Sequence, residues 1–128
     1  MKSGVAALIA LFLGVSPANA DTASEIRQGV ADWRPISVSV ENGVAKVILS
    51  QSRITDKVYL EALLSGICMM AVLYYKSKLE GITEIQILNQ LGTQGYVFEG
   101  GLAECQVLNK LPIGAETEIE ILGKTHLY

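Results

Sequence analysis

Residues 55–81, TDKVYLEALLSGICMMAVLYYKSKLEG, carry the long helical signal of this 128-residue chain, and its fold has to be built around them. Thr55 or Asp56 can act as N-cap, accepting a hydrogen bond from a free N–H of the first turn, and Gly81 stands where a left-handed C-cap belongs. Lys76 and Lys78 fall in the expected last turn, at the negative end of the helix dipole. Between these ends, Ala62 to Tyr75 is apolar apart from Ser65 and Gly66. No broad polar face is left, so the helix has to be covered on most sides. Successive steps of about 100° gather Lys57, Glu61, Ser65, Cys68, Val72 and Lys76 into one sector. Tyr59, Leu63, Gly66, Ile67, Met70, Leu73 and Tyr74 form the opposite, core-facing side.

A membrane span is the competing reading of the same stretch. Glu61 interrupts it, and the uninterrupted part is shorter than the ~20 apolar residues that cross a bilayer. A buried core helix is therefore expected. Ala62 and Gly66 make a small-xxx-small pair, which lets a second backbone approach closely; the protein's own sheet is the expected neighbour.

Met1 to Ala20 reads as a secretory signal. Lys2 supplies the positive start, Val5 to Val15 the apolar segment, and Pro17-Ala18-Asn19-Ala20 a small-residue cleavage site. Cleavage is expected before Asp21, and no cysteine follows it to take a lipid anchor. Removing 20 of the 128 residues leaves 108, with nine basic and thirteen acidic side chains because only Lys2 is lost, a net charge of −4. This is the size of one domain, residues 21–128, and its mild acidity excludes the basic footprint of nonspecific nucleic-acid binding. The expected compartment is the periplasm, or the medium if the protein is secreted.

Around the long helix, Ile26, Val30 and Trp33 mark a short amphipathic helix ending before Pro35. Asn42-Gly43 is a type I′ hairpin signal between alternating segments. It pairs Val40 with Ala45, Val38 with Val47 and Ile36 with Leu49, all apolar, while Ser37, Ser39, Glu41 and Lys46 take the wet face. Ile82 to Asn89 and Tyr96 to Phe98 read as strands, joined by a glycine-bearing loop. Leu102, Cys105, Leu108 and Leu111 give a short helix ending before Pro112. Glu116 to Tyr128 alternates Thr117, Ile119 and Ile121 against Glu116, Glu118 and Glu120, the pattern of a half-buried strand. The expectation is a single α+β domain in which an antiparallel sheet of about five strands packs on one long apolar helix, in the order ββ-α-ββ-α-β.

Chemistry is sparse. Cys68 and Cys105 are the two cysteines, and in an oxidising compartment an even pair predicts a disulfide. Cys68 lies in the helix sector that the sheet covers least, so the bond would dock the short helix there. Closing such a loop stabilises by up to about 4 kcal/mol in the chain-entropy account. The competing reading makes Cys105 a helix-N-terminal nucleophile with His126 as its base, a cysteine hydrolase. One histidine and two separated cysteines match no zinc spacing, and no cofactor motif is present. Glu116, Glu118 and Glu120 form an acidic stripe that either faces a cationic partner or is the solvated face of a strand. Tyr96 and Phe98, in the Gly92 to Gly101 region, either recognise a ligand or pack into the core. The expected function is that of a small, non-enzymatic exported protein binding another protein or a small ligand. A structural homodimer packed through the long helix is the alternative.

Overall fold

The structure is a computed structural model that describes residues 17–74, 76–112 and 114–128. Most of the expected export signal lies outside the described residues. Its last four residues, 17–20, form the first turn of α1, Pro17–Gly29. Proline is suited to that first position, where its missing N–H costs no hydrogen bond. A 3-10 turn, Ala31–Trp33, then leads through Arg34, in the left-handed region at φ 54°, into the sheet.

β1 (Pro35–Glu41) and β2 (Val44–Leu49) form the expected hairpin, with Asn42 and Gly43 at φ 52° and 79°. Val40 pairs with Ala45 and Val38 with Val47. The third expected pair is corrected: the register shifts between Pro35 and Ser37, Leu49 faces Pro35, and Ile36 is squeezed out to 54% exposure.

The long helix, here α2, spans residues 56–73 as an α-helical turn Asp56–Glu61, a π-helical segment Ala62–Ile67 and a second α-helical part Cys68–Leu73. Thr55 is the N-cap, its hydroxyl accepting from Val58 N at 3.2 Å. The helix ends eight residues before Gly81, with Tyr74 extended at φ −109°. Gly81, at φ 94°, belongs to the turn that enters the next strand rather than to the helix cap. The π segment holds one extra residue per turn, which delays the helical phase beyond it. Tyr59, Leu63, Gly66, Ile67 and Met70 are buried as expected, whereas Leu73 and Tyr74 leave the core. Leu79 and Ile82 of the segment that follows are buried in the core.

Glycine explains where α1 crosses α2. A Cβ on Gly66 would lie 2.9 Å from the Gly29 carbonyl oxygen, and one on Gly29 would lie 2.7 Å from that of Gly66. The backbone approaching the small-residue pair is thus α1, not the sheet. The other end of α1 holds the chain leaving α2. Buried Glu25 accepts from Ser77 Oγ at 2.7 Å and from Lys78 N at 2.9 Å, and Thr22 Oγ1 donates to the Lys78 carbonyl at 3.0 Å.

β3 (Glu84–Leu88) and β4 (Gly95–Phe98) follow, then α3 (Leu102–Lys110), α4 (Ala115–Leu122) and β5 (Thr125–Leu127). The spatial order is β1-β2-β3-β4-β5. The sheet is mixed, which corrects the antiparallel expectation: β2 and β3 are parallel because α2 carries the chain back across the sheet between them. The other neighbouring pairs are antiparallel. The observed order is α-ββ-α-ββ-αα-β.

The expected terminal strand is corrected too, since most of 116–128 is helical. Thr117 and Ile121, four residues apart, are 2% and 0% exposed, and Ile119 between them is 69% exposed. Period four beats period two here because the glutamates favour a helix start and only two of the three β-branched residues are needed inside. One continuous core joins Ile26, Tyr59, Leu63, Ile67, Cys105, Leu108 and Ile121 of the helices to Val47, Leu49, Ile85, Ile87 and Phe98 of the sheet. Among the described residues no helix is long and apolar enough to cross a membrane.

Candidate functional site

The segment Glu99-Gly100-Gly101 turns the chain from β4 into α3 at close quarters. A Cβ on Gly100 would stand 2.7 Å from the Phe98 ring and 2.7 Å from Cγ of Glu104, so only glycine fits between the ring and the Glu104 stem. Glu104 reaches back to the helix start, where Gly101 N donates to its Oε1 at 2.6 Å. That bond satisfies an N–H otherwise left without a partner and fixes one oxygen of the carboxylate.

Cys105, one residue further, is bonded to Cys68 of α2, with a Cα–Cα distance of 4.9 Å across 37 residues of sequence. Both cysteines are fully buried. Asn109 Nδ2 reinforces the junction by donating to the Cys68 carbonyl at 3.1 Å. The disulfide therefore holds α3 against α2 as the sequence leads one to expect. α4 is set by Thr117, whose hydroxyl donates to the Pro112 carbonyl at 2.7 Å. The turn after it is tied to the sheet, since Glu99 N donates to the Lys124 carbonyl at 2.8 Å.

Between α3, α4 and the end of β4 lies a cavity of about 160 Å³. Phe98 and Leu108 are its deepest residues, Ala103 and Val107 line it from α3, and Glu104, Glu120 and Lys124 supply its charged groups. Among the described residues, the Glu120 and Lys124 side chains have no hydrogen bond or ion pair with other protein groups. Glu116 precedes Glu120 by one helical turn and shares its side of α4; Glu118 is turned to another side.

The structure thus brings two of the sequence-selected residues, Phe98 and Glu120, to one cavity and disperses the rest. Tyr96 is half-buried and stacks on Tyr59, ring centroids 4.7 Å apart. Phe98 is fully buried and lies beneath the cavity. His126, on β5, pairs with Val97 of β4 and lies 3.4 Å from Glu99, while Cys105 sits in the core between helices and sheet. The Gly92 to Gly101 region opens with a tightly bonded loop. Asn89 Oδ1 accepts from Thr93 N and Gln94 N, and the Gln94 amide bonds both N–H and carbonyl of Ile54 at 2.7 and 2.8 Å. The sequence reading missed Ala103, Glu104, Val107, Leu108 and Lys124 as a group. The spacing Glu104, Val107, Leu108 on one helix and Glu120, Lys124 around another was the available signal, and it becomes visible only when 116–122 is read as helix.

No group of three or more His, Cys, Asp or Glu side chains among the described residues is placed to hold a metal ion. Compared with protein-family models, curated proteins and solved structures, the chain matches none of them, so the reading of its function rests on this geometry.

Proposed function

We propose that the chain is a small exported, non-enzymatic binding protein, and that it takes a small ligand in the cavity between α3, α4 and β4. The observation that carries this reading is an apolar recess floored by Phe98 and edged by the unpaired Glu120 and Lys124. Ligand sites combine such an apolar body with a few convergent polar groups. The N-terminal sequence pattern supports export, and so does the disulfide, a bond that persists in oxidising compartments. The hydrolase alternative lacks its nucleophile while Cys105 is bonded to Cys68. The test compares small aromatic probes on the wild type and on Val107→Trp, which fills the recess. Ligand-induced shifts of α3 and α4 amide resonances are expected in the first and absent in the second. Equal shifts in both would place binding elsewhere.

A second reading, the homodimer, rests on a different observation. Met69, Val72 and Leu73 of α2 are 38%, 59% and 65% exposed, beside a groove of about 280 Å³ that also includes Leu64 and Leu111. Exposed apolar side chains grouped in this way mark contact surfaces. A dimer through this flank gives a melting temperature that rises with protein concentration. Val72→Lys removes that dependence if the reading holds, and a concentration-independent wild type rules it out.

A further inference from the structure

We infer that the ligand of this cavity is a small organic cation: an ammonium group on an apolar body of one ring or one branched chain. This assignment rests on the cavity being the binding site.

Size sets the body. A recess of about 160 Å³ is close to the roughly 150 Å³ apolar cavity that accommodates benzene. Phe98, Ala103, Val107 and Leu108 offer it no strong hydrogen-bonding side chain, so the buried part of the ligand is hydrocarbon. Charge sets the head. Glu104 and Glu120 face the recess with Lys124 as the single counter-charge, and Glu116 adds a third carboxylate on the same side of α4. The local balance is negative, which disfavours an anion and favours a cation. Glu104 already accepts from Gly101 N with one oxygen, and that bond fixes its carboxylate. Glu120 has no protein partner among the described residues, so an arriving ammonium breaks no existing bond to reach it. Lys124 repels the same head, which makes it a brake on affinity.

The experiment titrates the disulfide-bonded protein with benzylamine, benzyl alcohol and benzoate, which share one ring and differ in charge, and follows α3 and α4 amide shifts. Benzylamine is expected to bind about tenfold more tightly than benzyl alcohol, the worth of one charge-assisted hydrogen bond, and benzoate most weakly. Glu120→Gln should erase the preference for the amine and leave benzyl alcohol unchanged. Lys124→Ala should tighten benzylamine. Benzoate binding as well as benzylamine, or a preference that survives Glu120→Gln, overturns the cation assignment while leaving the cavity as a site. If none of the three probes binds the wild type, the cavity reading itself falls, and this inference with it.

Discussion

Tyr59 shows how one side chain couples the layers of the molecule. Its ring is fully buried under α2 and stacked on Tyr96, and its hydroxyl meets Thr125 Oγ1 at 2.5 Å. Thr125 Oγ1 donates its one proton to the Ile121 carbonyl at 2.6 Å, so the phenol is the donor in the bond between the two hydroxyls. Burial, the largest cause, pushes the Tyr59 phenol from 10.0 up to about 12. The neutral phenol is therefore favoured by folding. Its contribution is complete below pH 10 and is lost as the pH rises toward 12, by on the order of 2 kcal/mol. Denaturant unfolding across that window, compared with Tyr59→Phe, checks the sign: the variant should show the shallower decline, and parallel curves would exclude the effect. Gly66 makes a second prediction at this scale. Alanine in place of a helical glycine ordinarily stabilises by about 1 kcal/mol. Here the added methyl meets the Gly29 carbonyl oxygen at 2.9 Å and the Trp33 ring at 3.2 Å. Gly66→Ala should instead destabilise by about 1–3 kcal/mol, the usual cost of overpacking, and an unchanged or higher melting temperature would show that α1 does not press on α2 there.

The elements differ in how plainly they were written. The β1–β2 hairpin was legible because Asn42-Gly43 and the apolar alternation specify the same register, until the bulge at Ile36. The start of α2 was legible through Thr55. Its end was not, because the π segment shifts the phase and because Glu25, a distant side chain, holds the chain that follows. The parallel pairing of β2 with β3 depends on where α2 returns the chain, which local periodicity does not encode. Two of the seven residues that line the cavity, Glu120 and Lys124, come from α4 and the turn after it, and their place was hidden with that helix. Thr117-Glu118-Ile119-Glu120-Ile121 satisfies both periods, and only the partners of Thr117 and Ile121 decide between them. That decision is testable. With the segment helical, Ile119→Lys changes stability by no more than about 0.5 kcal/mol, as at other exposed positions. A half-buried strand would turn Ile119 inward with Thr117 and Ile121, and an equilibrium unfolding loss of several kcal/mol would restore that arrangement.

For the whole molecule, the C-terminal part is the less securely held. After β4, the described residues from 102 onward return to the body through the Cys68–Cys105 bond, the Asn109 hydrogen bond, the packing of α3 on α2, the burial of Leu108 and Ile121, the Tyr59–Thr125 and Glu99–Lys124 hydrogen bonds, and β5, a strand of three residues. β2 and β3 are instead interior strands, and the β1–β2 and β2–β3 ladders are longer, with α1 and α2 residues packed into the same core. Removing the disulfide should therefore act unevenly. The double variant Cys68→Ala/Cys105→Ala leaves no free thiol and should lose up to about 4 kcal/mol of global stability, the entropy of the opened loop. Local opening of α3 and α4 should become easier still, so hydrogen exchange of their amides should accelerate more than that of β2 and β3. Because α3 and α4 bound the cavity, benzylamine affinity should fall under conditions where the sheet remains folded. Uniform acceleration of exchange across the chain would mean that the disulfide stabilises the domain only as a whole. Unchanged stability would remove the staple from the account of the fold, leaving α3 held by packing and the Asn109 bond alone.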